Sequence, residues 1–516
     1  MNILLMPLIR AFDLGGRETT LTLPGILAGL VSDAIAGFPA LRAHQRHAWH
    51  SFLVLLAVNA LHHGGLAEPP DSEAQWRDLL RQLTPDHPDD APWCLVSPVD
   101  RPALLQPPIP SGALAELKNR LPTPDGLDML VTAKNHDLKQ SVMTAAAPED
   151  WLFALLTLQT MEGFLGAGNY GISRMNGGFA NRAAVSVVPP GGVGAHLRRD
   201  VRRLQALRGR DDAAGFARSG GLALVWLVPW DGTTSLRPDA LDENYIEICR
   251  RVRLTVEQGR LVAYAGSSKA ARIVPVKGGA TGDPWSPTVV GKDGAIKSLT
   301  VDGRGLGYRR MVEFMFGGVR PAPLQVASDD DAASGLHLLA RALVRGQGKT
   351  EGYHERRVPL SRKVRRGLRE MASDPAAQAA KERVEIAGIM QEQVLKAAVL
   401  ALFQNGPTKV DFRDKDSLRK AEPFLKRFDA LVDLGFFDAL WSEMDEDAVD
   451  ARRQRRCDWV AGLFREARLL LDLAEHAAAR SSHRGIRAAV RAEDRLRQAA
   501  RFNDKIQPYL SGGGST

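Results

Sequence analysis

The chain has 516 residues, of which 44% are hydrophobic and 25% charged, and carries a formal net charge of +8. That length exceeds one ordinary core, the composition excludes broad disorder, and no apolar run approaches the roughly 20 residues of a membrane span. The positive charge favours an anionic partner, while three scattered cysteines, Cys94, Cys249 and Cys457, offer neither a disulfide framework nor zinc spacing.

Taken in chain order, MNILLMPLIR reads as a first strand. Its apolar run has no basic segment before it and no small-residue cleavage pattern after it, so the protein is expected in the cytoplasm with no membrane partner. Gln45–His62 shows helical apolar spacing. His44, His47 and His50 could share one face of that helix, but no acidic residue stands among them in an H-E-x-x-H arrangement, so structural histidines and no metal are expected. Trp151–Phe164 is a second helix, its start marked by Pro148, Glu149 and Asp150.

The stretch GFLGAGNYGISRMNGGFANR follows, with a literal G-x-G-x-x-G in Gly166, Gly168 and Gly171. A dinucleotide fingerprint needs a strand entering the turn and a helix leaving it, and here a helical segment enters and turn residues leave. Glycines instead let bare backbone approach a phosphate or a groove edge, with Asn169, Arg174 and Arg182 as added donors. Short strands are expected at Leu222–Val228, Tyr245–Arg253, Leu261–Tyr264 and Ile296–Val301.

After about residue 328 the texture becomes helical. Helices are expected at Ala332–Arg345, Pro359–Met371, Asp374–Gln404, Ser417–Met444, Ala448–Ala478 and Arg484–Tyr509, and the long ones suit a four-helix bundle. Its packing face is expected to use Ile386, Ile389, Val394, Leu395, Leu425, Leu431, Phe437, Leu463, Leu470 and Leu473. The fold class is therefore α+β, a large mixed N-terminal domain followed by a C-terminal four-helix bundle. Expected boundaries are 1–327 for the mixed domain, 328–373 for connector helices, 374–510 for the bundle and 511–516 (SGGGST) for a flexible linker. Arginine-rich stretches at Arg198–Arg210, Arg356–Arg369, Arg452–Arg456 and Arg480–Arg501 are read as solvated faces or contacts to an anionic partner.

GQGKTEG, residues 346–352, ends like a phosphate-binding loop, but the glycine required five positions before its Gly-Lys pair is Leu343. A nucleotide-dependent enzyme using GAGNYG or GQGKT is thus the rival reading. No G-x-S-x-G and no carboxylate constellation gives catalysis a positive signal, and no cofactor is expected.

The order of GAGNYGISRMNGG at 166–178, DPWSPT at 283–288 and EFMFGGVRPAP at 313–323, followed by the bundle, resembles the CasA family, the large subunits of type I-E CRISPR Cascade surveillance complexes. The resemblance implies a non-catalytic subunit of an antiviral complex. Its partners would be guide RNA (crRNA), target double-stranded DNA, the other Cascade subunits and a recruited helicase-nuclease. Such a subunit reads a protospacer-adjacent motif (PAM) from the minor-groove side and starts R-loop formation, while guide pairing reads the rest. Carried onto this chain, the glycine loop falls on Gly166, Gly168, Asn169, Tyr170 and Gly171, and the groove lysine on Lys269 or Lys277. The wedge, a hairpin tip pushed between base pairs, falls on Arg320, Pro321, Ala322 and Pro323, where the family's usual glutamine is missing and Gln325 stands two positions later. Lys134, Asn135, His136 and Lys139, within Val131–Ala147, would meet the guide RNA. The cysteine pairs of some family members are absent here, so no zinc is implied.

Overall fold

The computed structural model describes residues 1–128, 143, 145–173, 181–209, 215–274, 282–331, 335–346, 349–361, 375–478 and 482–510. The chain divides into two compact units. One comprises Met1–Leu306 with Val319–Arg357, the other Gly307–Gly318 with Val358–Thr516.

The first unit runs β1 (Ile9–Asp13), β2 (Glu18–Leu21), α1 (Leu23–Val31), β3 (Ile35–Gly37), α2 (Arg46–His63), α3 (Glu73–Gln82), β4 (Asn119–Leu121) and α4 (Pro148–Met161). It continues through β5 (Ala184–Val188), α5 (Gly192–Leu207), β6 (Leu222–Leu224), β7 (Leu241–Ile246), β8 (Arg251–Glu257), β9 (Arg260–Gly266), β10 (Thr288–Val290) and β11 (Ile296–Ser298). Only α6 (Tyr308–Phe316), which belongs to the second unit, intervenes before β12 (His337–Gly346) and β13 (Lys349–Pro359). The sheets are small, with strand orders β2-β1-β3, β4-β9-β8 and β13-β12-β5 and the pairs β6-β7 and β10-β11.

Because HSFLVLLAVNAL is apolar nearly all round, α2 cannot lie on a surface, and it forms the centre of this unit with α3, α4 and α5 against it. With so little sheet, much buried backbone must find other partners. Buried arginines supply them. Arg253 donates to the carbonyls of Ser97, Pro98, Arg101 and Gln106 at 2.8–3.1 Å, and Arg272 to that of Val228 at 2.8 Å. Arg199 donates to the carbonyls of Leu324 and Val326 and pairs with Asp331 at 3.0 Å.

In the second unit, the helical stretch expected at Asp374–Gln404 is α7 (Pro375–Ile389), a π-helical segment (Met390–Leu395) and α8 (Lys396–Phe403). Then come α9 (Lys415–Asp445), α10 (Val449–Ala477), α11 (Ser482–Arg501) and the short α12 (Gln507–Leu510). The α+β class with a helical C-terminal region holds. Ile386, Val394, Leu395, Phe437, Leu463 and Leu470 are buried as expected, and Ile389 and Leu425 are half-buried. Leu431 and Leu473 are exposed, because the apolar stripes on α9 and α10 are wider than the faces that neighbouring helices cover. Arg383, on α7, is wholly buried between Glu443 at 2.7 Å and the Trp459 ring at 4.4 Å. Although Pro375–Phe403 is long and apolar enough to cross a bilayer, contrary to the sequence reading, most of its apolar window is buried inside the structure.

Other expectations need correction. Ala332–Arg345 is not helical where described; β12 occupies it, antiparallel to β5 with Leu338 opposite Val187 and Ala340 opposite Val185. A strand buried on both faces carries a continuous apolar run, and its period does not distinguish it from a buried helix. The connector helices of 328–373 are thus strands over 337–346 and 349–359, and most of 360–373 lies outside the described residues. Leu222–Val228 stops being a strand at Leu224, turning before Pro229. Tyr245–Arg253 splits into β7 and β8, because Gln159 Oε1 takes the Cys249 and Arg250 amides at 2.9 and 2.8 Å and turns the chain. The first strand begins at Ile9, and Asn2 makes only an isolated bridge to Cys94.

Of the histidines expected on one face of α2, His44 and His47 are buried and His50 is half-buried. His47 is buried edge-on to Trp285, and His196 is buried with its ring stacked on His50 at 4.0 Å. Burial holds both imidazoles neutral, His47 well below the usual histidine range and His196 down to about 4. An unfolded chain protonates these groups near 6.5, so this stability is complete above that pH and is lost as pH falls. Lowering the pH from about 7.5 to 5 is expected to remove about 2 kcal/mol per such histidine. Urea midpoints for wild type and His47→Gln at both pH values check this: the variant should show the smaller drop, and an equal drop contradicts the assignment.

Candidate nucleic-acid interface

The glycine loop begins where α4 ends. Glu162 turns extended after the helix, and its side chain is buried. The loop then closes on itself: Leu165 N donates to Asn169 O at 2.9 Å, Asn169 N to Gly166 O at 3.0 Å and Ile172 N to Glu162 O at 2.9 Å. Gly168 adopts φ +87°, which side chains strain to reach, and a Cβ there would stand 2.9 Å from that of Ser267. At Gly171 a Cβ would fall 2.4 Å from the Gly163 carbonyl carbon, so only glycine lets the two arms of the loop touch. The outer side of the loop is exposed at Phe164, Leu165, Ala167 and Asn169.

A second segment braces the first. Ser268 N donates to Gly168 O at 2.9 Å, the Tyr170 hydroxyl donates to Lys269 O at 3.3 Å, and Lys269 N donates to Gly232 O at 2.6 Å. The Lys269 side chain is exposed beside the loop. Gly166, Gly168, Asn169, Tyr170 and Gly171 thus meet Lys269, which lies 99 residues beyond Tyr170 in sequence. Chemically, the described residues of this site offer bare main chain and the Lys269 ammonium.

Beneath it lies a buried ion cluster that the sequence reading missed. The Glu162 carboxylate accepts from the Arg345 guanidinium, Arg250 stands 3.9 Å from it, and Arg250 Nη2 donates to Gly163 O at 2.8 Å. Burial pushes the Glu162 carboxyl above its ordinary range, and the two guanidiniums pull it back. At the far arm, Ser173 N donates to Glu247, and Ser173 Oγ lies 2.9 Å from the Tyr245 hydroxyl. Only the intervals between these residues precede contact in sequence, and those carry no periodic signal.

Other expected positions separate from this site. Arg182 is buried and ion-paired to Asp283, so it does not face outward as a donor. EFMFGGVRPAP is the end of α6, a Gly-Gly turn and a single bridge from Arg320 to Thr288, followed by a 3-10 turn at Pro323–Gln325. It is not a hairpin: Ala322 and Gln325 are buried and Arg199 clamps the carbonyls of Leu324 and Val326, while Arg320 is exposed and Pro321 and Pro323 are half-buried. The chain's long hairpin is β12–β13, joined by Gln347 and Gly348, which lie outside the described residues, as do Lys277, Arg174, Lys134, Asn135, His136 and Lys139.

GQGKT therefore joins two strands and opens no helix, which is the wrong frame for a phosphate loop. Among the described residues, His50, His196 and Asp200 bring metal-ligand atoms within 4.8 Å of one another. Asp200 accepts from His50 at 2.9 Å, lies 3.3 Å from His196 and also takes Arg199 at 3.1 Å. The His50 and His196 rings stack at 4.0 Å, and both reach the same Asp200 carboxylate oxygen.

Residues 2–470 match the family model described as CRISPR-associated protein Cse1. No curated protein matches the chain. Among solved structures, CasA (Cse1) of Thermus thermophilus is similar at 16% identity and TM-score 0.65, over 97% of this chain and 98% of that one. Cse1 of Thermobifida fusca is similar at 15% identity and TM-score 0.69, over 100% and 99%. A chain from a CRISPR RNA-guided surveillance complex is similar at 14% identity and TM-score 0.59, over 97% and 99%. With a family model matched across most of its length and this fold beneath it, the chain belongs to the Cse1 family of CRISPR-associated proteins.

Proposed function

We propose that the chain is the large, non-catalytic subunit of a type I-E Cascade complex in the cytoplasm, and that its glycine loop and Lys269 hold the PAM duplex from the minor groove. Family membership and the likeness to a chain of an RNA-guided surveillance complex support the setting. The observation that carries the site is the Gly166–Gly171 loop, braced through Ser268 and Tyr170 so that exposed main chain stands beside a free-reaching lysine. The minor groove is narrow and degenerate in its hydrogen-bonding pattern, so a reader without bulky side chains suits it, with lysine supplying the phosphate attraction.

Strand separation then falls to the β12–β13 hairpin, with Gln347 between its strands in sequence, in place of Arg320–Pro323. A hairpin end can be pushed between base steps, whereas a segment with Ala322 buried cannot. Lys134, Asn135, His136 and Lys139 are proposed to meet the guide RNA, and the helical unit to guide the opened strand and present a surface to a helicase-nuclease.

Two outcomes are expected in the complex assembled on guide RNA. Lys269→Ala should weaken PAM-duplex binding and reduce the slope of log K against log salt by about one; an unchanged slope contradicts the lysine's role, and failure of the chain to join the guide-RNA complex contradicts the whole proposal. Gln347→Ala should leave initial duplex capture within about twofold but slow opening next to the PAM by about tenfold, or ~1.4 kcal/mol of barrier. A 2-aminopurine reporter beside the PAM reads that step, and wild-type opening in the variant rules the hairpin out.

A further inference from the structure

We infer that Glu162 and Arg345 are positioning residues that couple the glycine loop to the β12–β13 hairpin, so that duplex seated on the loop firms the hairpin for strand separation. The inference rests on the reading of those two elements as the ones that handle duplex.

Glu162 is the residue immediately before Gly163, and Arg345 is the one immediately before Gly346, where β12 ends. Their side chains meet across 183 residues of sequence, 2% and 5% exposed. Each is tied to its own element. Arg250 links the Glu162 carboxylate to the Gly163 carbonyl, and Ile172 N closes the loop's neck on Glu162 O. Asn181 binds both the amide and the carbonyl of Arg345, at 2.7 and 2.8 Å, which fixes the strand end and leaves the guanidinium aimed at the loop. A shift of the hairpin root therefore moves a charge that water cannot replace, and the loop's first carbonyl moves with it.

A buried ion pair is an inefficient way to add stability, since well-packed apolar residues of similar volume often do as well or better; in some proteins such groups fix register instead. Placed where the loop begins and where β12 ends, such a pair ties the two elements together. Coupling of this kind is reciprocal: what orders one element orders the other.

Hydrogen exchange on the full chain tests this, with Arg345→Gln and the milder Arg345→Lys as variants. Arg345 reaches the loop through Glu162, so a role confined to its own strand would loosen only the hairpin. The coupling predicts that exchange in peptide 163–173 quickens by about tenfold in Arg345→Gln and by less in Arg345→Lys, while β8–β9 is unchanged. Unchanged exchange in that peptide with a loosened hairpin overturns the inference. The second arm uses the assembled guide-RNA complex and a PAM duplex. In wild type the duplex slows exchange in both the loop and 337–346; in Glu162→Gln it slows the loop alone. If the duplex protects both segments equally in Glu162→Gln, the coupling is wrong. If it protects neither in wild type, the proposed duplex site fails instead, and the first arm still decides the coupling.

Discussion

The order of the first unit depends on buried guanidinium groups that satisfy backbone and carboxylates where regular structure does not. Its strands are short and its loops long, so many main-chain groups lie inside without a ladder or helix to pair them, and each would be costly unpaired. Arg253 gathers the carbonyls of Ser97–Gln106, Arg272 gathers that of Val228, Arg199 clamps Leu324 and Val326, and Arg250 holds Gly163. Arginine suits this task because its planar fork donates in several directions and stays charged under burial, even with Arg253 lowered to about 10 by desolvation. The loop that meets solvent is thus carried on a rigid base.

This use of arginine explains where sequence and structure part. Runs such as RRDVRR and RRQRR read as solvated or anion-facing, yet Arg199 and Arg456 turn inward, Arg456 to Glu443 and Glu382 within the helical unit. Neither composition nor period distinguishes a buried guanidinium from a solvated one, since the difference lies in carbonyls and carboxylates supplied by distant segments. Helices with caps and strong period were legible: Gln45–His62 and Ser417–Met444 fall within two residues of α2 and α9. Strand β12 was not, because a fully buried strand loses its alternation.

The candidate site was legible in part. Positive φ at Gly168 and the close pass at Gly171 are reasons for glycine that a dense Gly run announces, and its wrong context for a dinucleotide was readable without coordinates. The approach of Lys269 and the Glu162–Arg345 pair come from long-range packing and carry no local signal. A Gly-Gly followed by prolines looks like a hairpin tip, but the segment after it is held by Arg199 through the Leu324 and Val326 carbonyls and forms a 3-10 turn. Both glycine motifs that invite a nucleotide are better explained as backbone geometry than as chemistry.

What the account requires above all is that the main chain around Gly168 touches DNA. A photo-crosslinking residue in place of the exposed Ala167, in the chain assembled with its guide-RNA complex, measures that contact directly. The account predicts crosslinks to the PAM duplex concentrated within the motif and lost when the motif is scrambled. Crosslinks that ignore the motif, or that fall on a protein subunit instead of DNA, would contradict it.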